Sequence, residues 1–377
     1  MKVKFVSKVR GFLNHLSEIK SNNIQFELKN NTYEVSSTTH ALLSKCIRGS
    51  LGDHLGIIQS INTNEQDKSI ILGSFNRFLN TENDYFIYVE NPTALYHYSL
   101  NRPYTHLGNR RFNHLLSDSN LKYMIFMSKA ALYSSKEVWG REVPIKKEVI
   151  YPYIPKNPFF EPKKKSSATP IKLLYIAQGS RFVSKGAPEV IDMAVQIESE
   201  VSLTIITNID SIPDQLMEKI SLQHNIHLEE FNKSFLEMER IYASHDILIY
   251  PTSDDSSALT VLEAIKAGMV VIGSNLYAIP EMVRDGENGF LTNPKWQFFD
   301  THNIPNPDVW NHRQSTIFSL KSDKNIVEFL VEKVNLLNND RELLYMMSLK
   351  SVSIANSDPF DEVTITKQWE KIANKIH

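Results

Sequence analysis

Short apolar runs alternate with stretches of helical periodicity along most of this chain. Four runs in the first half are continuous, which is typical of strands covered on both faces of a sheet. They lie at residues 2–6, 69–73, 85–89 and 122–127. Helical stretches at residues 39–48 and 128–139 stand between them. Since strands and helices that alternate in this way build parallel sheets, the pattern predicts an α/β domain.

Residues 152–170 interrupt this pattern. The segment reads PYIPKNPFFEPKKKSSATP, with five prolines and three consecutive lysines, and it has little capacity for helix or strand. We interpret it as a linker between a first domain at residues 1–160 and a second at residues 170–357.

The same alternation restarts after the linker. Strands are predicted at residues 172–177, 202–207, 246–250 and 269–273, and helices at residues 187–197, 325–337 and 340–349. A last helix, within residues 358–377, carries an apolar stripe at helical spacing. The prediction is therefore an α/β protein of two doubly wound, Rossmann-like domains. Such open sheets bind ligands at the carboxyl ends of their strands, so two of them are expected to face a cleft.

Composition narrows the class of protein. The 377 residues are 42% hydrophobic and 22% charged, which fits about two soluble domains. No run approaches the roughly 18–20 apolar residues of a membrane span, and the N-terminal apolar run is too short for a signal peptide. The single cysteine, Cys46, excludes an internal disulfide and a cysteine-based zinc site. We expect a cytoplasmic enzyme.

Charge is distributed unevenly along the chain. Residues 1–165 contain 23 Lys and Arg against 14 Asp and Glu, a balance of +9, and the remainder has a balance of −11. A basic half indicates an anionic partner, such as a phosphate-bearing acceptor or an anionic membrane surface. The alternative is a chance skew spread over solvated faces. No basic and aromatic RNA-binding signature is present, so nucleic acid is not an expected partner.

Residues 249–294 carry the most informative motif. A strand end is followed by two aspartates, three small residues and a helix. The first N–H groups of such a helix, together with its dipole, favour an anion. Glu263, one to two turns into the helix, is placed to accept two hydrogen bonds from a vicinal diol such as a ribose. The alternative is an ordinary capped helix with a surface glutamate.

A second loop, AQGSRFVSKG at residues 177–186, also follows a strand and precedes a helix. Gly179 and Gly186 permit unusual backbone angles. Arg181 and Lys185 lie four residues apart, and two cations at the carboxyl end of a strand can neutralise a diphosphate without a metal. The alternative is a solvated basic loop.

These motifs resemble those of a known family, the GT-B retaining glycosyltransferases of family 4. Residues 255–274 read DSSALTVLEAIKAGMVVIGS, similar to the family's E-G-F-G-L-x-x-x-E-A-x-A-x-G-x-P-V-I-x-S. Residues 278–291 read AIPEMVRDGENGFL, similar to G-x-P-E-x-V-x-D-G-x-N-G-x-L. Residues 180–186 resemble the family's G-R-x-x-x-x-K-G loop. The resemblance covers about residues 170–295, and it implies a last helix that crosses back to the first domain.

The resemblance implies a role for each matching residue. Glu263 would hold the donor ribose, and Arg181 and Lys185 would bind the donor diphosphate and stabilise the leaving nucleotide. The amides of Leu259 and Thr260 would face the phosphates. Further donor-binding residues implied by the same match are Ser257, Ala258 and Gly179.

Asp255 stands where the family usually has a glutamate near the donor sugar. The resemblance therefore implies a catalytic residue with a side chain one methylene shorter. Ser256, Ser257 and Ala258 replace the usual Gly-Phe-Gly, so the wall of the pocket is expected to differ too.

The first half departs further from the family. The region that matches its glycine-rich loop has only Gly11, and Glu90 stands in for its usual histidine, as a predicted catalytic residue. The alternative is that Glu90 caps the helix starting near Pro92. Gly11, His97 and Arg102 are candidate acceptor contacts. The alternatives are a packing residue for His97 and a solvated helix face for Arg102.

The expected function is a retaining glycosyltransferase that moves a sugar from a UDP- or GDP-linked donor to a saccharide or lipid-linked saccharide acceptor, in bacterial surface polysaccharide or lipopolysaccharide synthesis. No cofactor and no metal are expected, since no His, Asp and Glu cluster has metal-binding spacing. The basic half suggests peripheral contact with the inner face of the cytoplasmic membrane. One alternative is a non-catalytic GT-B relative that serves as partner of another glycosyltransferase. A further alternative is a nucleotide-sugar epimerase.

Overall fold

The computed structural model describes residues 1–7, 11–28, 47, 49–162, 164, 166, 168–197 and 200–376. The chain divides into two compact units. Unit 1 comprises Met1–Tyr153, His302–Pro305 and Asp358–His377. Unit 2 comprises Ile154–Thr301 and Asn306–Ser357. The proline-rich segment therefore lies at the start of unit 2, and a short piece of the later chain joins unit 1.

Unit 1 is built on a six-stranded sheet in which all neighbouring strands are parallel. In spatial order its strands are Gln25–Leu28, Lys2–Phe5, Ile71–Phe75, Tyr85–Val89, Leu121–Phe126 and Lys146–Val149. The two strands Ile71–Phe75 and Tyr85–Val89 are buried at every position, which explains why they are continuous apolar runs in the sequence. A separate parallel pair joins Ser60–Asn62 to Phe78–Asn80.

The described helices of unit 1 pack around this sheet. The α-helices are Ser50–His54, His106–Leu116, Lys129–Trp139 and Glu362–Ile376, and the short 3-10 helices are Gly11–Glu18, Pro92–Tyr96 and Arg102–Tyr104. The helix predicted at residues 39–48 lies outside the described residues except for Ile47, as does Cys46.

The last helix belongs to unit 1, as predicted. Trp369 is buried on its apolar face, and its ring centroid lies 5.6 Å from that of Phe26, 5.3 Å from that of Phe86 and 5.5 Å from that of Tyr88. Aromatic contacts of this kind add to the area that the helix buries. The C-terminal segment thus supplies core residues to the sheet that begins at the N-terminus.

Unit 2 repeats the architecture of unit 1. Its six parallel strands are, in spatial order, Ile226–Glu230, Val201–Thr207, Ile171–Ile176, Ile247–Tyr250, Val270–Ser274 and Gly289–Thr292. Its α-helices are Ala187–Gln196, Asp214–Ser221, Phe235–Ser244, Leu259–Lys266, Ile279–Met282, Pro307–Asn311, Lys324–Asn339 and Arg341–Ala355, and its short 3-10 helices are Gly179–Arg181, Val183–Lys185 and Ile209–Ser211. The prediction of two doubly wound, Rossmann-like units is confirmed.

The strand order of unit 2 reverses between Ile171–Ile176 and Ile247–Tyr250. The chain first adds strands on one side of Ile171–Ile176 and then returns to add the rest on the other side. In open parallel sheets such a reversal leaves a crevice at the carboxyl ends of the two strands, where ligands bind. The fold therefore places the loops after these two strands at the expected ligand site.

Candidate functional site

Two loops of unit 2 meet at this reversal point. One follows Ile171–Ile176 and contains Arg181 and Lys185, and the other follows Ile247–Tyr250 and contains the two aspartates. A main-chain hydrogen bond from Ser253 N to Ser184 O, 3.0 Å long, ties them together. The two motifs found separately in the sequence therefore form one site.

Gly179 and Gly186 serve this site in different ways. Gly186 has φ of +91°, and a Cβ there would lie 2.5 Å from Pro251 O, so both the backbone angle and the space require glycine. Gly179 is needed for close approach, since a Cβ there would lie 2.0 Å from Ser211 Oγ. Its N–H donates to Asn208 Oδ1 at 2.9 Å, so this amide is already engaged within the protein.

Lys185 is held by three acceptors. Its Nζ donates to Asp254 O at 3.0 Å, to the hydroxyl of Tyr250 at 3.2 Å and to the Asp255 carboxylate. An ammonium group has three N–H donors, so all of them are used. Lys185 can bind a diphosphate directly only by exchanging one of these partners.

The Asp255 carboxylate is likewise hydrogen-bonded entirely within the protein. Its Oδ1 accepts from the backbone N–H of Ser257 at 3.0 Å and of Ala258 at 2.8 Å, and its Oδ2 accepts from Lys185 and Tyr250. Burial by itself would raise the pKa of Asp255, but the charge of Lys185 and these hydrogen bonds hold the pKa well below its usual range.

This arrangement corrects the roles expected for three residues. The ionised Asp255 positions Lys185 and the start of the following helix, and its four hydrogen bonds leave no lone pair aimed at a sugar. The amides of Ser257 and Ala258, expected to contact the donor, point instead at Asp255. The geometry therefore does not fit a catalytic carboxylate at Asp255.

Arg181 differs from Lys185 in its exposure. One guanidinium nitrogen lies 2.5 Å from Asp254 Oδ2 and 3.2 Å from Asp254 O, but 41% of the side chain is exposed. Asp254 is buried. Arg181 therefore has donors that a ligand can reach without unfolding the loop, which fits the predicted contact with a diphosphate.

The helix Leu259–Lys266 begins between these groups. Ala258 precedes it with φ of +45° and makes no side-chain cap. Because the first N–H groups of a helix have no partner inside the helix, those of Leu259 and Thr260 are placed for an anion. Both residues are partly exposed. Their predicted role as phosphate-facing amides is compatible with this geometry.

Glu263 lies in the second turn of that helix and is partly buried. Its Oε2 accepts a hydrogen bond of 2.7 Å from the hydroxyl of Tyr242. Burial raises the pKa of Glu263 to about 7, and the Tyr242 hydrogen bond opposes that rise. A surface glutamate, the alternative raised from the sequence, does not fit this environment. Such strongly perturbed carboxyl groups are enriched at functional sites.

Two tyrosines of the site were missed from the sequence. The buried hydroxyl of Tyr242 donates to Glu263, and that of Tyr250 donates to Asp255. Tyr250 ends a predicted strand, so its position at the carboxyl edge of the sheet could have been predicted.

Glu90 follows the buried strand Tyr85–Val89 in unit 1. Its carboxylate accepts from Asn76 Nδ2 at 3.3 Å, and its backbone N–H donates to Asn76 Oδ1 at 2.9 Å. The alternative role as a helix cap is wrong, because Asn91 caps the helix Pro92–Tyr96 by accepting from Thr93 N. Glu90 thus lies at the carboxyl edge of the sheet, and its catalytic role stays a prediction.

Two of the three predicted acceptor contacts, Arg102 and His97, do not fit their surroundings, and the contact at Gly11 stays a prediction. Arg102 is 0% exposed, and its guanidinium binds Asp53 and the carbonyls of Ile57 and Ile47. His97 is buried, and its Nε2 accepts from Gln59 N at 3.0 Å. Gly11 has no atom within 4 Å of where a Cβ would lie, so nothing there requires glycine. Arg102 and His97 hold loops of unit 1 together.

The residues that the structure describes contain no group of three or more His, Cys, Asp and Glu side chains placed to hold a metal ion. Within the same part of the chain, no helix is both long enough and apolar enough to cross a membrane.

Comparisons with known proteins show which proteins this chain is similar to. Residues 171–300 match the family model described as glycosyl transferases group 1. A stretch of 61 residues, 15% of the chain, is 34% identical to sulfoquinovosyl transferase SQD2 of Arabidopsis thaliana, and it spans only 12% of that relative's length. The resemblance to glycosyltransferases that the motifs indicated is confirmed.

Solved structures share the whole fold. HepE of Anabaena, determined in complex with UDP, has a TM-score of 0.62 and 15% identity, with complete coverage of both chains. WaaG, a glycosyltransferase involved in lipopolysaccharide biosynthesis, has a TM-score of 0.61 and 12% identity, covering 100% of this chain and 99% of that one. At these identities the likeness shows the GT-B fold alone.

Proposed function

We propose that the protein is a retaining glycosyltransferase with a nucleotide-diphospho-sugar donor, on the premise that residues 171–300 match the glycosyl transferases group 1 model and that the chain has the GT-B fold. The observation that carries the proposal is the convergence of three features at the reversal point of unit 2. They are the partly exposed guanidinium of Arg181, the open helix start at Leu259 and Thr260, and the partly buried carboxyl of Glu263.

Each feature has a part in the proposed reaction. Glu263 accepts the two hydroxyls of the donor ribose, and the helix start and Arg181 hold the diphosphate. As the bond from sugar to phosphate breaks, positive charge develops on the sugar and negative charge on the leaving diphosphate. Donors fixed in place before the reaction stabilise that negative charge. The acceptor hydroxyl attacks from the face that the diphosphate leaves, and we assign no protein nucleophile.

The donor in this proposal carries UDP or GDP, and the UDP and UDP-glucose complexes of HepE favour uridine. Transfer without a metal is proposed because Arg181 and the helix start supply positive charge where a metal would otherwise be needed. No cofactor is proposed, since the nucleotide sugar is a substrate.

Unit 1 binds the acceptor in this proposal, a saccharide or a lipid-linked saccharide of bacterial surface polysaccharide or lipopolysaccharide synthesis. The role of WaaG in lipopolysaccharide biosynthesis supports that choice. Glu90 remains the candidate for handling the acceptor proton, because it lies at the carboxyl edge of the sheet, where open sheets present their functional groups.

A surface of unit 1 supports peripheral contact with an anionic membrane. The helices Ser50–His54 and His106–Leu116 contact each other and expose apolar side chains beside the exposed cations Arg110 and Arg111. The exposed apolar residues there are Leu51, Leu55, Tyr104 and Leu107. Flotation with phosphatidylglycerol vesicles at low and high salt tests this contact. Binding that does not weaken with salt would contradict the electrostatic part.

Calorimetric titration with UDP, GDP, ADP and CMP, in a buffer with EDTA, tests the donor site. We expect one nucleoside diphosphate to bind and Glu263→Gln to weaken it about tenfold or more, since the glutamine amide cannot accept both ribose hydroxyls. Glu328→Gln, on an exposed face of the same unit, is the matched control. Absence of binding to all four nucleotides would overturn the proposal.

The second candidate is a non-catalytic partner of another glycosyltransferase. The observation that favours it is the mutual commitment of Lys185 and Asp255, which leaves neither group free for a substrate. The two candidates differ in turnover. An enzyme that binds UDP-glucose releases UDP slowly even to water, whereas a non-catalytic relative binds without release, so detection of free UDP over time distinguishes them.

A further inference from the structure

A cavity of about 280 Å³ lies in unit 2, at the edge of the sheet opposite the donor loops. Its lining includes Asp246 and Gly268, which come just before the amino ends of the strands Ile247–Tyr250 and Val270–Ser274. The donor loops follow the carboxyl ends of strands in the same sheet. Because the length of the strands separates the two edges, this cavity is distinct from the proposed donor site.

One wall of the cavity is a face of the helix Arg341–Ala355. The lining residues of this helix are three, four and seven positions after its first residue, a spacing that places them on one face. They are Arg341, Leu344, Tyr345 and Ser348. Tyr345 and Ser348 are partly exposed, whereas Arg341 is buried. This wall therefore presents a ring and a hydroxyl near solvent and a guanidinium deeper in the protein.

The opposite wall carries two aromatic rings from the proline-rich segment, those of Phe159 and Phe160. The Arg240 guanidinium carbon lies 5.0 Å from the centroid of the Phe159 ring. Gly268 has φ of +72°, and a Cβ there would lie 2.2 Å from Phe160 Cε2, so the Phe160 ring packs directly on the glycine. The segment interpreted from the sequence as a linker thus supplies a fixed aromatic wall.

Arg341 has one donor nitrogen that the protein does not satisfy. Its Nε donates to Asn338 O at 2.9 Å, and its Nη2 donates to Thr169 O and to Asn338 Oδ1, both at 3.0 Å. Nη1 is buried and has no hydrogen-bond partner within the described part of the chain. An unmade hydrogen bond of a buried charged group is costly. A ligand oxygen in the cavity would supply the missing acceptor after a small movement of the side chains that cover Nη1.

The other polar groups of the lining indicate the charge of the ligand. Glu161 and Asp246 place two carboxyl groups beside the guanidinium of Arg341. Carboxylates at a binding surface repel a phosphate or another polyanion. Hydroxyl groups suit this set, because a hydroxyl donates to a carboxylate and accepts from a guanidinium. The lining therefore favours an uncharged ligand with several hydroxyls.

The aromatic rings narrow the ligand further. The face of an aromatic ring is electron-rich and attracts the weakly positive C–H groups of a ligand. A sugar ring has C–H groups on its faces and hydroxyls at its edge, which matches rings on the walls and polar groups between them. The volume is near the lower limit of small-molecule pockets, roughly 300 Å³, so a single sugar ring is the unit that fits.

We propose that this cavity is a second saccharide site, which binds one neutral sugar ring and carries out no chemistry on it. The inference rests on the proposed function only for the source of the sugar, which is the saccharide acceptor or product. A site at the amino edge of the sheet holds a part of that saccharide that is not reacting.

Saturation-transfer NMR with glucose, galactose and N-acetylglucosamine tests this site. We expect at least one of them to bind with a dissociation constant of about 1 mM, as for other ligands of this size. Ser348→Trp, whose ring fills the cavity, should weaken that binding at least tenfold. Ser353→Trp is the matched control, because Ser353 is an exposed serine of the same helix and does not line the cavity. Unchanged binding in Ser348→Trp would overturn the site.

Arg341→Lys tests the unsatisfied donor. Lysine keeps the positive charge but lacks the planar fork, so the sugar affinity should fall about tenfold. Urea unfolding accompanies this variant, since Arg341 also holds Thr169 and Asn338. If Arg341→Lys does not fold, Tyr345→Ala decides, because loss of the partly exposed ring should weaken binding about fivefold. Full affinity in the folded variant would contradict the assignment.

Charged probes and UDP separate the possible results. Glucose 6-phosphate or inorganic phosphate that binds more tightly than glucose, and is lost in Ser348→Trp, would show an anion site and overturn the neutral sugar. Wild-type protein that binds UDP but none of the three sugars would overturn only the inference. Sugar binding that Ser348→Trp removes, in a protein that binds no nucleoside diphosphate, would support the cavity and overturn the proposed function. UDP affinity should be equal in wild type and Ser348→Trp.

Discussion

The two units share one architecture, yet their candidate arginines have opposite surroundings. Arg181 in unit 2 is paired with Asp254 while 41% of its side chain is exposed. Arg102 in unit 1 is paired with Asp53 and is 0% exposed. The sequence analysis made both arginines candidate ligand contacts, Arg181 for the donor and Arg102 for the acceptor. Only one of them is placed where a ligand can replace its partner.

The difference shows what separates a binding cation from a structural one. A partly exposed ion pair in high dielectric is weak and is exchanged at little cost. A buried pair loses several kcal/mol when one partner is removed, because the other charge is left without compensation. Variants in each unit therefore test whether Arg102 has a structural role and Arg181 a binding role.

The largest expected effect on stability is at Arg102. Arg102→Met should lower the free energy of unfolding by about 3 kcal/mol, because it leaves Asp53 and two carbonyls without their donor. Urea unfolding measures this loss, with the exposed Arg110→Gln as control. If Arg102→Met is as stable as wild type but does not bind the acceptor, the prediction that Arg102 contacts the acceptor is supported instead.

The next effect concerns catalysis. Arg181→Met should lower the rate of UDP release from UDP-glucose about 100-fold, the usual cost of losing one preorganised donor to a leaving anion. Its free energy of unfolding should fall less than that of Arg102→Met, since the Arg181 side chain is partly exposed, but the buried Asp254 loses its partner, so urea unfolding accompanies the assay. Steady-state release of UDP is the measurement, with Arg284→Gln as control. An unchanged rate would place the leaving-group stabilisation elsewhere.

A smaller effect follows from the pKa of Glu263, which is about 7. The carboxyl is ionised above that pH and neutral below it, and only the ionised form accepts both ribose hydroxyls. The affinity for UDP should therefore fall about tenfold from pH 8 to pH 6, in proportion to the ionised fraction.

Glu263→Gln is the control for this pH dependence, because the phosphate of UDP titrates in both proteins. The additional loss of affinity below pH 7 should disappear in that variant. The same pH dependence in wild type and Glu263→Gln would show that Glu263 does not meet the ribose.

The smallest expected effect tests the role of Glu90 in unit 1. Asn91→Ala should lower the free energy of unfolding by about 1 kcal/mol, because Asn91 caps the helix Pro92–Tyr96. Urea unfolding of Asn91→Ala, beside Asn91→Ser as a control that keeps a capping acceptor, measures it. If Asn91→Ala leaves the free energy of unfolding unchanged, Glu90 is the helix cap after all, and its proposed role is contradicted.

The central strands were predicted well, and the edge strands were not. The strand Tyr85–Val89 has the predicted bounds, and Ile171–Ile176 differs by one residue, because both are buried over nearly their whole length and so appear as apolar runs. The strand Lys146–Val149 has no buried position, and Gln25–Leu28 has one. Edge strands of this kind give no continuous hydrophobic signal.

The candidate site was predicted in part. Spacing alone placed Arg181, Lys185 and Glu263 at one sheet edge. It did not reveal that Lys185 and Asp255 bind each other, because both are hydrophilic residues on loops and their contact joins positions 70 residues apart.

The sequence by itself determined the two parallel sheets, the loops at their carboxyl ends and the residue types of the donor motif. These depend on local periodicity and on short spacings along the chain. The tertiary structure alone decided which polar groups are already satisfied by the protein and which remain open to a ligand. The reason is physical, since hydrogen-bond partners and burial come from distant segments, as Asp53 does for Arg102 and Tyr242 does for Glu263.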